Sequence, residues 1–441
     1  MADRTDVTAQ RRRNVLLCLV PWGYCVAMTI RYGYDAPYWD QWWKIPIIEK
    51  AFDGTLTFRD YWTLINEHRV FFPNLIAIPL ARLTQWDLRV ELALTLVFAT
   101  LAFGLIAVLF RRADPASSRS GTLWPLPIAA MLAFSFAQYM VWVWSFHMMI
   151  TLTMLFILIL IVLLGRHAIT PPAVALAAAA AVGASYTFGA GIVAWPVGLL
   201  MLLLAPGLSP RKRAVFSLGW CLIAGIAMLV YFIEYETTPA SQYALGIAAR
   251  PLALMLYVLT YIGSPVFSYS PFLAAMAGTL GVLVAGFVVP RMFQAQRARV
   301  LPFIALMAVG CTVACLTGLK QAHEGAIQAL SPRYILWPAF FWIGLLGLLY
   351  IWQLSASGEA APRTRRSVAL IGILILGLSL ASSAYGTYRA DERHDAFVLG
   401  RSALLEGRMD DDLRYLYPDL DVPLRMRETL VEHKLSIFRG E

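Results

Sequence analysis

Three short stretches gather side chains that can move a proton or hold an anion. The first, Tyr34-Asp35-Ala36-Pro37-Tyr38-Trp39-Asp40-Gln41-Trp42-Trp43, sets two carboxylates among aromatic rings. A carboxyl group removed from water has a raised pKa, which suits a general base. Each acid also has a plainer reading, with Asp35 facing water or capping a helix and Asp40 capping the amphipathic segment after it. The second stretch, Asn66-Glu67-His68-Arg69-Val70-Phe71-Phe72-Pro73, puts three ionisable groups side by side. Beside lipid such a cluster is costly unless it is paired or used, and the simple pairing is Glu67 with Arg69. The third is Lys320-Gln321-Ala322-His323-Glu324 followed by Ser331-Pro332-Arg333-Tyr334. A cation at a membrane surface can hold a lipid phosphate, arginine with a two-pronged fork, or can simply snorkel to water.

Other chemistries find little support. One histidine with neighbouring acids falls short of the three or four convergent ligands of a metal site. No cofactor is expected, although the loop acids leave room for a divalent cation. His147, after Trp142 and Trp144, reads as part of an interfacial aromatic belt. No Walker loop, GxSxG elbow, HExxH pair or dinucleotide glycine pattern occurs in a supporting context. Gly189-Ala190-Gly191 reads as tight packing or a helix break.

The elements that must position these groups are apolar. Hydrophobic residues make up 59% of the 441 and charged residues only 14%, against about 25% charged in an ordinary soluble domain. Mean hydropathy is +0.64. A water-soluble fold could not hide so much apolar surface, so an all-α polytopic membrane protein is expected. The net charge of +9 does not indicate nucleic acid, because the basic residues sit in short runs between apolar tracts. The five cysteines lie inside those tracts and imply neither disulfides nor a metal site.

Apolar length and breakers predict eleven transmembrane helices: Asn14–Tyr32, Arg89–Phe110, Thr122–Trp142, His147–Leu164, Pro171–Tyr186, Ala190–Ala205, Ala214–Glu234, Pro271–Val289, Val300–Gly318, Arg333–Gln353 and Ser367–Gly386. The short pair Pro171–Tyr186 and Ala190–Ala205 also reads as one broken or re-entrant element. The run Asn14–Ile30 lacks a small-residue cleavage site and reads as the first span. Basic residues at 11–13, 111–112, 166, 211–213, 291–299 and 363–366 then fall in alternate loops on one side. The positive-inside rule makes that side cytoplasmic, with the C-terminus outside.

The chain divides into a cytoplasmic N-terminus (1–13), a first span (14–32), an extracytoplasmic loop (33–88), the remaining spans (89–386) and a short outer tail (387–441). Within the loop, Gln41–Phe52 suits a helix lying in the interface, and Val70–Leu83 suits a juxtamembrane helix too short to cross. The tail has the mixed charge and Leu and Tyr spacing of a helical appendage, expected to pack over that loop.

Pro37-Tyr38-Trp39-Asp40-Gln41-Trp42, Asn66-Glu67-His68-Arg69 and Ser331-Pro332-Arg333-Tyr334 resemble a branch of bacterial membrane proteins placed near the GT-C superfamily. These are glycosyltransferases that use polyprenyl-phosphate sugars. The resemblance covers Asn14–Leu88 best and the Arg333 region next, while the middle helices match in number and hydropathy alone. Family members often carry adjacent acids after helix one, whereas Asp35 and Asp40 are spaced apart, which leaves open which is the base. A large soluble C-terminal domain, present in some members, has no counterpart.

The resemblance implies sugar transfer, with inversion, from a polyprenyl-phosphate sugar to an acceptor glycan, lipid or protein on the outer face of a bacterial inner membrane. It implies Asp40, or else Asp35, as catalytic base, and Glu67, His68, Trp39 and Trp42 at the sugar or acceptor. It puts Arg69, Lys320, Arg333 and Tyr334 on the lipid phosphate. Other classes remain: a transporter or flippase of lipid-linked sugars, an O-antigen polymerase or ligase, or a scaffold without activity. Transporters usually carry polar residues at mid-membrane and repeated halves, and this sequence shows neither clearly.

Overall fold

The structure is a computed structural model that describes residues 4–114, 123–236 and 243–440. Residues 1–3 and Thr122, where one expected helix begins, lie outside these. The chain is almost wholly helical. Its one sheet among the described residues is a two-strand hairpin, Leu64–Ile65 with His68–Arg69. Among the described residues eight helices are long and apolar enough to cross a bilayer, which makes this a multi-pass membrane protein. Large apolar side chains such as Leu218, Leu229, Ile30 and Phe272 stand exposed on their outer faces, where a lipid solvent removes the penalty of exposure.

α1 (Arg4–Tyr32) leads into the first loop. There a 3-10 turn, Trp39–Lys44, precedes α2 (Ile45–Asp53), and the hairpin precedes α3 (Phe71–Thr84). The interfacial helix expected over Gln41–Phe52 therefore starts four residues late. A proline in its first turn suits a helix start, and the tight 3-10 turn sets Trp42 in the core while Trp43 stays exposed. α4 (Leu88–Ala113), α5 (Pro125–Ala133) and α6 (Met148–Leu164) follow. Between α5 and α6 the chain is broken by turns at Phe136–Gln138 and Ser145–His147.

The short pair becomes α7 (Pro171–Ser185) and α8 (Ala194–Leu204), joined by a 3-10 turn, with α9 (Pro210–Tyr231) next. Gly191 marks where the pair pinches, since a Cβ there would sit 1.9 Å from the Ala184 carbonyl oxygen. α10 (Pro251–Gly263) is an apolar helix of 13 residues that the hydropathy reading passed over, being too short to register as a span. The two segments expected at Pro271–Val289 and Val300–Gly318 form one helical run, α11 (Pro271–Gln321), with non-helical dihedrals at Gln296. Gly281 and Gly310 both abut Phe341, so the halves lie side by side and the chain doubles back near Gln296.

α12 (Leu336–Ser355) is buried along most of its length. α13 (Ala360–Glu406) runs 47 residues, about 70 Å at 1.5 Å per residue and far more than a bilayer needs. The span expected to stop at Gly386 continues because nothing after it breaks a helix, and pairs such as Arg389 with Glu392 support it. The tail ends in α14 (Asp421–Glu432). It lies on the first loop: Trp39 N–H donates to Leu416 O at 2.9 Å, Ser436 N–H to Gln85 O at 2.9 Å, and Arg439 pairs with Asp87 at 2.8 Å.

Interhelical approach is closest at Gly263, whose added Cβ would fall 1.8 Å from Ala274 O. Gly263→Val forces α10 off α11, and overpacking of that kind costs about 1–3 kcal/mol or more. The thermal unfolding midpoint in detergent should fall clearly below that of Gly286→Ala, whose new methyl group meets nothing within 4 Å.

Candidate active site

Asp40 sits on the turn after Tyr38, and neighbours fix that turn rather than its own side chain. Gln41 Oε1 accepts from Tyr38 N–H at 3.3 Å and from Trp144 Nε1 at 2.9 Å. Gln41 Nε2 donates to Ser145 Oγ at 2.7 Å, and Ser145 Oγ donates to Glu91 Oε2 at 3.0 Å. Trp86 Nε1 closes the chain on Glu91 Oε1 at 3.2 Å. Gln41, Ser145 and Glu91 are essentially inaccessible to solvent. Asp40 is thereby relieved of the capping role open to it from sequence.

The hairpin supplies what faces Asp40. Asn66 and Glu67 form its two-residue turn with φ of 47° and 65°, the mirror-type geometry that usually takes Asn-Gly. Glutamate in the left-handed region is strained, and such strain gathers at functional sites. The turn brings the Asn66 side-chain amide to the Asp40 carboxylate. Burial pushes the Asp40 carboxyl above the ordinary aspartate range, against the opposing pull of Asn66 and the Arg333 guanidinium. Trp39, just before it, also has φ of 47° and is 40% exposed, with its ring against Tyr417 of the tail.

Glu67 does not pair with Arg69. Its buried carboxylate takes an ion pair from Lys320, and its backbone carbonyl accepts from Tyr231 Oη and Tyr235 Oη at 3.2 and 3.1 Å. His68 is half-buried, its ring 4.3 Å from that of Phe188, and its buried Nδ1 has no hydrogen-bond partner among the described residues. Burial, with Lys320 and Arg333 nearby, pushes its pKa down to about 3, so the ring is neutral. Arg333 likewise has a buried Nε without a partner, and its guanidinium lies over the Tyr334 ring at 4.9 Å. The structure thus brings Asp40, Asn66, Glu67, His68, Lys320, Arg333 and Tyr334 to one end of the helices.

Three expected site residues serve elsewhere. Arg69 donates to the carbonyls of Trp62 at 2.9 Å, Tyr231 at 3.0 Å and Ile233. Two of these lie at the end of α9, where a helix leaves carbonyls unpaired, so its guanidinium is committed and is not offered to a phosphate. Asp35 pairs with Arg401 of α13 at 2.9 Å, and its carbonyl accepts from Ser436 Oγ at 2.9 Å, so it fastens the tail. Trp42 is fully buried and cannot touch a ligand in this arrangement. His147 is buried too, its Nδ1 at 2.7 Å from Met140 O.

Sequence reasoning missed Asn66, Gln41 and Glu91. Asn66 carried a signal, being the one residue of the pair Asn66-Glu67 at home in a left-handed turn. A His-carboxylate group at metal-ligand spacing does occur, Glu49, Asp53 and His433, with ligand atoms within 4.8 Å of one another. It belongs to the seam between α2 and the tail and not to the Asp40 cluster. Comparison with protein-family models and with curated proteins found no match.

His68 gives this site a pH signature. An unfolded histidine takes up its proton near pH 6.5, whereas His68 resists protonation down to about 3. Between those values the unfolded state binds the additional proton, so this group costs stability as pH falls through that window and contributes no pH dependence above it. The slope is at most about 1.4 kcal/mol per pH unit. Thermal midpoints measured from about pH 7 to pH 5 should drop more steeply for the wild type than for His68→Gln. Equal slopes would mean that His68 titrates normally.

Proposed function

We propose that the protein is a membrane glycosyltransferase that moves a sugar from a polyprenyl-phosphate donor to an acceptor hydroxyl. The observation that carries the reading is a half-buried carboxylate with a raised pKa, Asp40, set near Arg333, whose buried Nε has no partner among the described residues. Inverting transfer asks for that pair. The acceptor oxygen attacks the anomeric carbon and gives its proton to Asp40. The bond from that carbon to the phosphate oxygen breaks, and the leaving polyprenyl phosphate carries the electron pair toward Arg333 and Lys320. Lys320 holds Glu67, with its side chain 41% exposed, so an arriving phosphate can share it.

Further features support this reading. A small apolar cavity of about 30 Å³ lies between α4, α5, α6 and α12, lined by Phe103, Ile106, Met154, Leu158 and Ile343. Leu336 also lines it, three residues beyond Arg333, so apolar surface for a prenyl tail adjoins the phosphate cations. The buried charged residues Lys44, Asp60, Glu67, Arg69, Glu91 and Asp114 lie in the first loop or at a helix end. That distribution favours chemistry at a surface over a polar path through the membrane. The basic residues Arg112, Arg213, Arg297 and Arg299 gather at the opposite end of the helices, against carbonyls of Val162, Ala205, Leu204 and Ala113. By the positive-inside rule the Asp40 end is then extracytoplasmic, in a bacterial inner membrane on this reading.

Asp40→Asn keeps the shape of the side chain and removes the base. Transfer from radiolabelled polyprenyl-phosphate sugars by purified protein should fall about 10²- to 10⁴-fold, with an unchanged thermal midpoint. In the wild type the acid limb of the pH–rate profile should lie above the ordinary aspartate range, because Asp40 must be ionised to accept the proton. Full transfer by Asp40→Asn would remove Asp40 from the chemistry. Movement of the lipid-linked sugar across vesicles without covalent transfer would overturn the enzyme reading.

A further inference from the structure

At the end of the helices away from Asp40 lies an open cleft of about 280 Å³. Three segments build it. Arg112 comes from the last turn of α4, Arg166 and His167 from the link between α6 and α7, and Arg299 from α11 just past its break at Gln296. The floor is apolar or small, with Leu109, Gly165 and Pro302, and among the described residues no acidic side chain lines it. Asp114, the acid nearest in sequence, accepts from Tyr350 Oη at 2.7 Å.

Two of the arginines are held in place. Arg112 donates to Val162 O at 2.7 Å through one guanidinium nitrogen, and Arg299 to Ala113 O at 2.7 Å through Nε. Each retains further N–H groups. Arg166 is exposed and makes no hydrogen bond or ion pair among the described residues. Other arginines at this end, Arg213 and Arg297, cap carbonyls at the end of α8 and do not line the cleft. Topology alone would ask only for scattered positive charge. Here three guanidiniums converge on one concavity over an apolar floor, two of them oriented by backbone, with no acidic side chain among the described residues that line it.

We infer that this cleft binds a phosphate-bearing anion, supplied by the headgroup of an anionic membrane lipid or by free phosphate. Planar forked donors match phosphate oxygens, and basic pockets between helix ends suit anionic headgroups. The apolar floor accommodates the first carbons of a lipid's glycerol and acyl chains. The inference is independent of the glycosyltransferase reading, since it uses no residue of the Asp40 cluster.

The test uses purified full-length protein and two probes, short-chain phosphatidylglycerol and inorganic phosphate, with short-chain phosphatidylcholine for comparison. Bound adducts are counted by native mass spectrometry, and thermal midpoints are measured alongside. Phosphatidylglycerol should bind and stabilise the wild type, and Arg166→Glu, at a residue with no protein partner, should weaken it at least about tenfold. Arg112→Lys, which keeps charge and loses the fork, should fall between. Arg365→Glu, at an exposed basic residue on α13, should match the wild type. Inorganic phosphate that binds and competes with the lipid, lost in Arg166→Glu, would make the phosphate group itself the ligand. Binding of the lipid alone would make it the headgroup with its glycerol. Unchanged binding in Arg166→Glu, equal binding of phosphatidylcholine, or an equal loss in Arg365→Glu would overturn the inference.

Discussion

A carboxylate shut away beside hydrocarbon must have its oxygens occupied, and Glu91 is the residue on which this constraint falls hardest. It lies one turn inside α4, and its two oxygens accept from Trp86 and Ser145. Ser145 in turn is held by Gln41. Breaking any link leaves a buried polar group unpaired, at about 1–3 kcal/mol each and more where a charge is involved. The chain Gln41–Ser145–Glu91–Trp86 therefore ties the first loop to the start of α4 and to the turn before α6. Asp40 inherits its position from this arrangement, being the residue next to Gln41. The buried network points one way along the turn, and the carboxylate of Asp40 is left to face the hairpin and Arg333.

The two acids brought near the cations then divide their roles by environment. Glu67 is buried, its carboxylate held by Lys320 and its backbone carbonyl by two tyrosine hydroxyls. Asp40 has an amide and a guanidinium near it but no direct ion pair, and desolvation prevails. A carboxylate that is already matched makes a poor proton acceptor, while one that is desolvated and under-matched is poised to take a proton. The same contrast separates Asp40 from Asp35, whose bond to Arg401 makes it a fastening for the tail. Spacing in sequence leaves the two alike; their partners in space differ.

What was legible in the sequence follows from locality. Apolar runs identify helices because burial or lipid exposure acts on contiguous stretches, and the Arg runs identify one end of the bundle because they sit at helix ends. The sites of Asp40, Glu67 and Arg333 were visible as polar clusters next to apolar runs. Their pairings were not, because Gln41 meets Ser145 across 104 residues and Glu67 meets Lys320 across 253. The proximity of Glu67 to Arg69 suggested a local ion pair, but Glu67 sits in the hairpin turn with φ of 65°, off the strand that carries Arg69, and its carboxylate meets Lys320. Arg69 went instead to the bare carbonyls at the end of α9. The length of α13 escaped a hydropathy reading for a similar reason: hydropathy marks where lipid ends and is silent on whether the helix does.

The tail shows how these constraints act together. α13 carries its helix well past the membrane boundary, and that rigid extension sets Arg401 against Asp35 and Phe397 against Tyr34, with stacked rings 4.1 Å apart. Beyond it, the chain returns over the loop and meets it through backbone at Leu416 and Ser436. Each contact lands on a strained residue or next to one. Trp39 has φ of 47°, Gln85 and Trp86 have 53° and 56°, and Ser436 has 55°. Left-handed backbone at such bulky residues persists only where surrounding structure over-determines it. The tail supplies that surrounding structure on one side and the Glu91 network supplies it on the other. Between them the turn bearing Asp40 is held from both ends, so its carboxylate is presented without a cap or a salt bridge of its own.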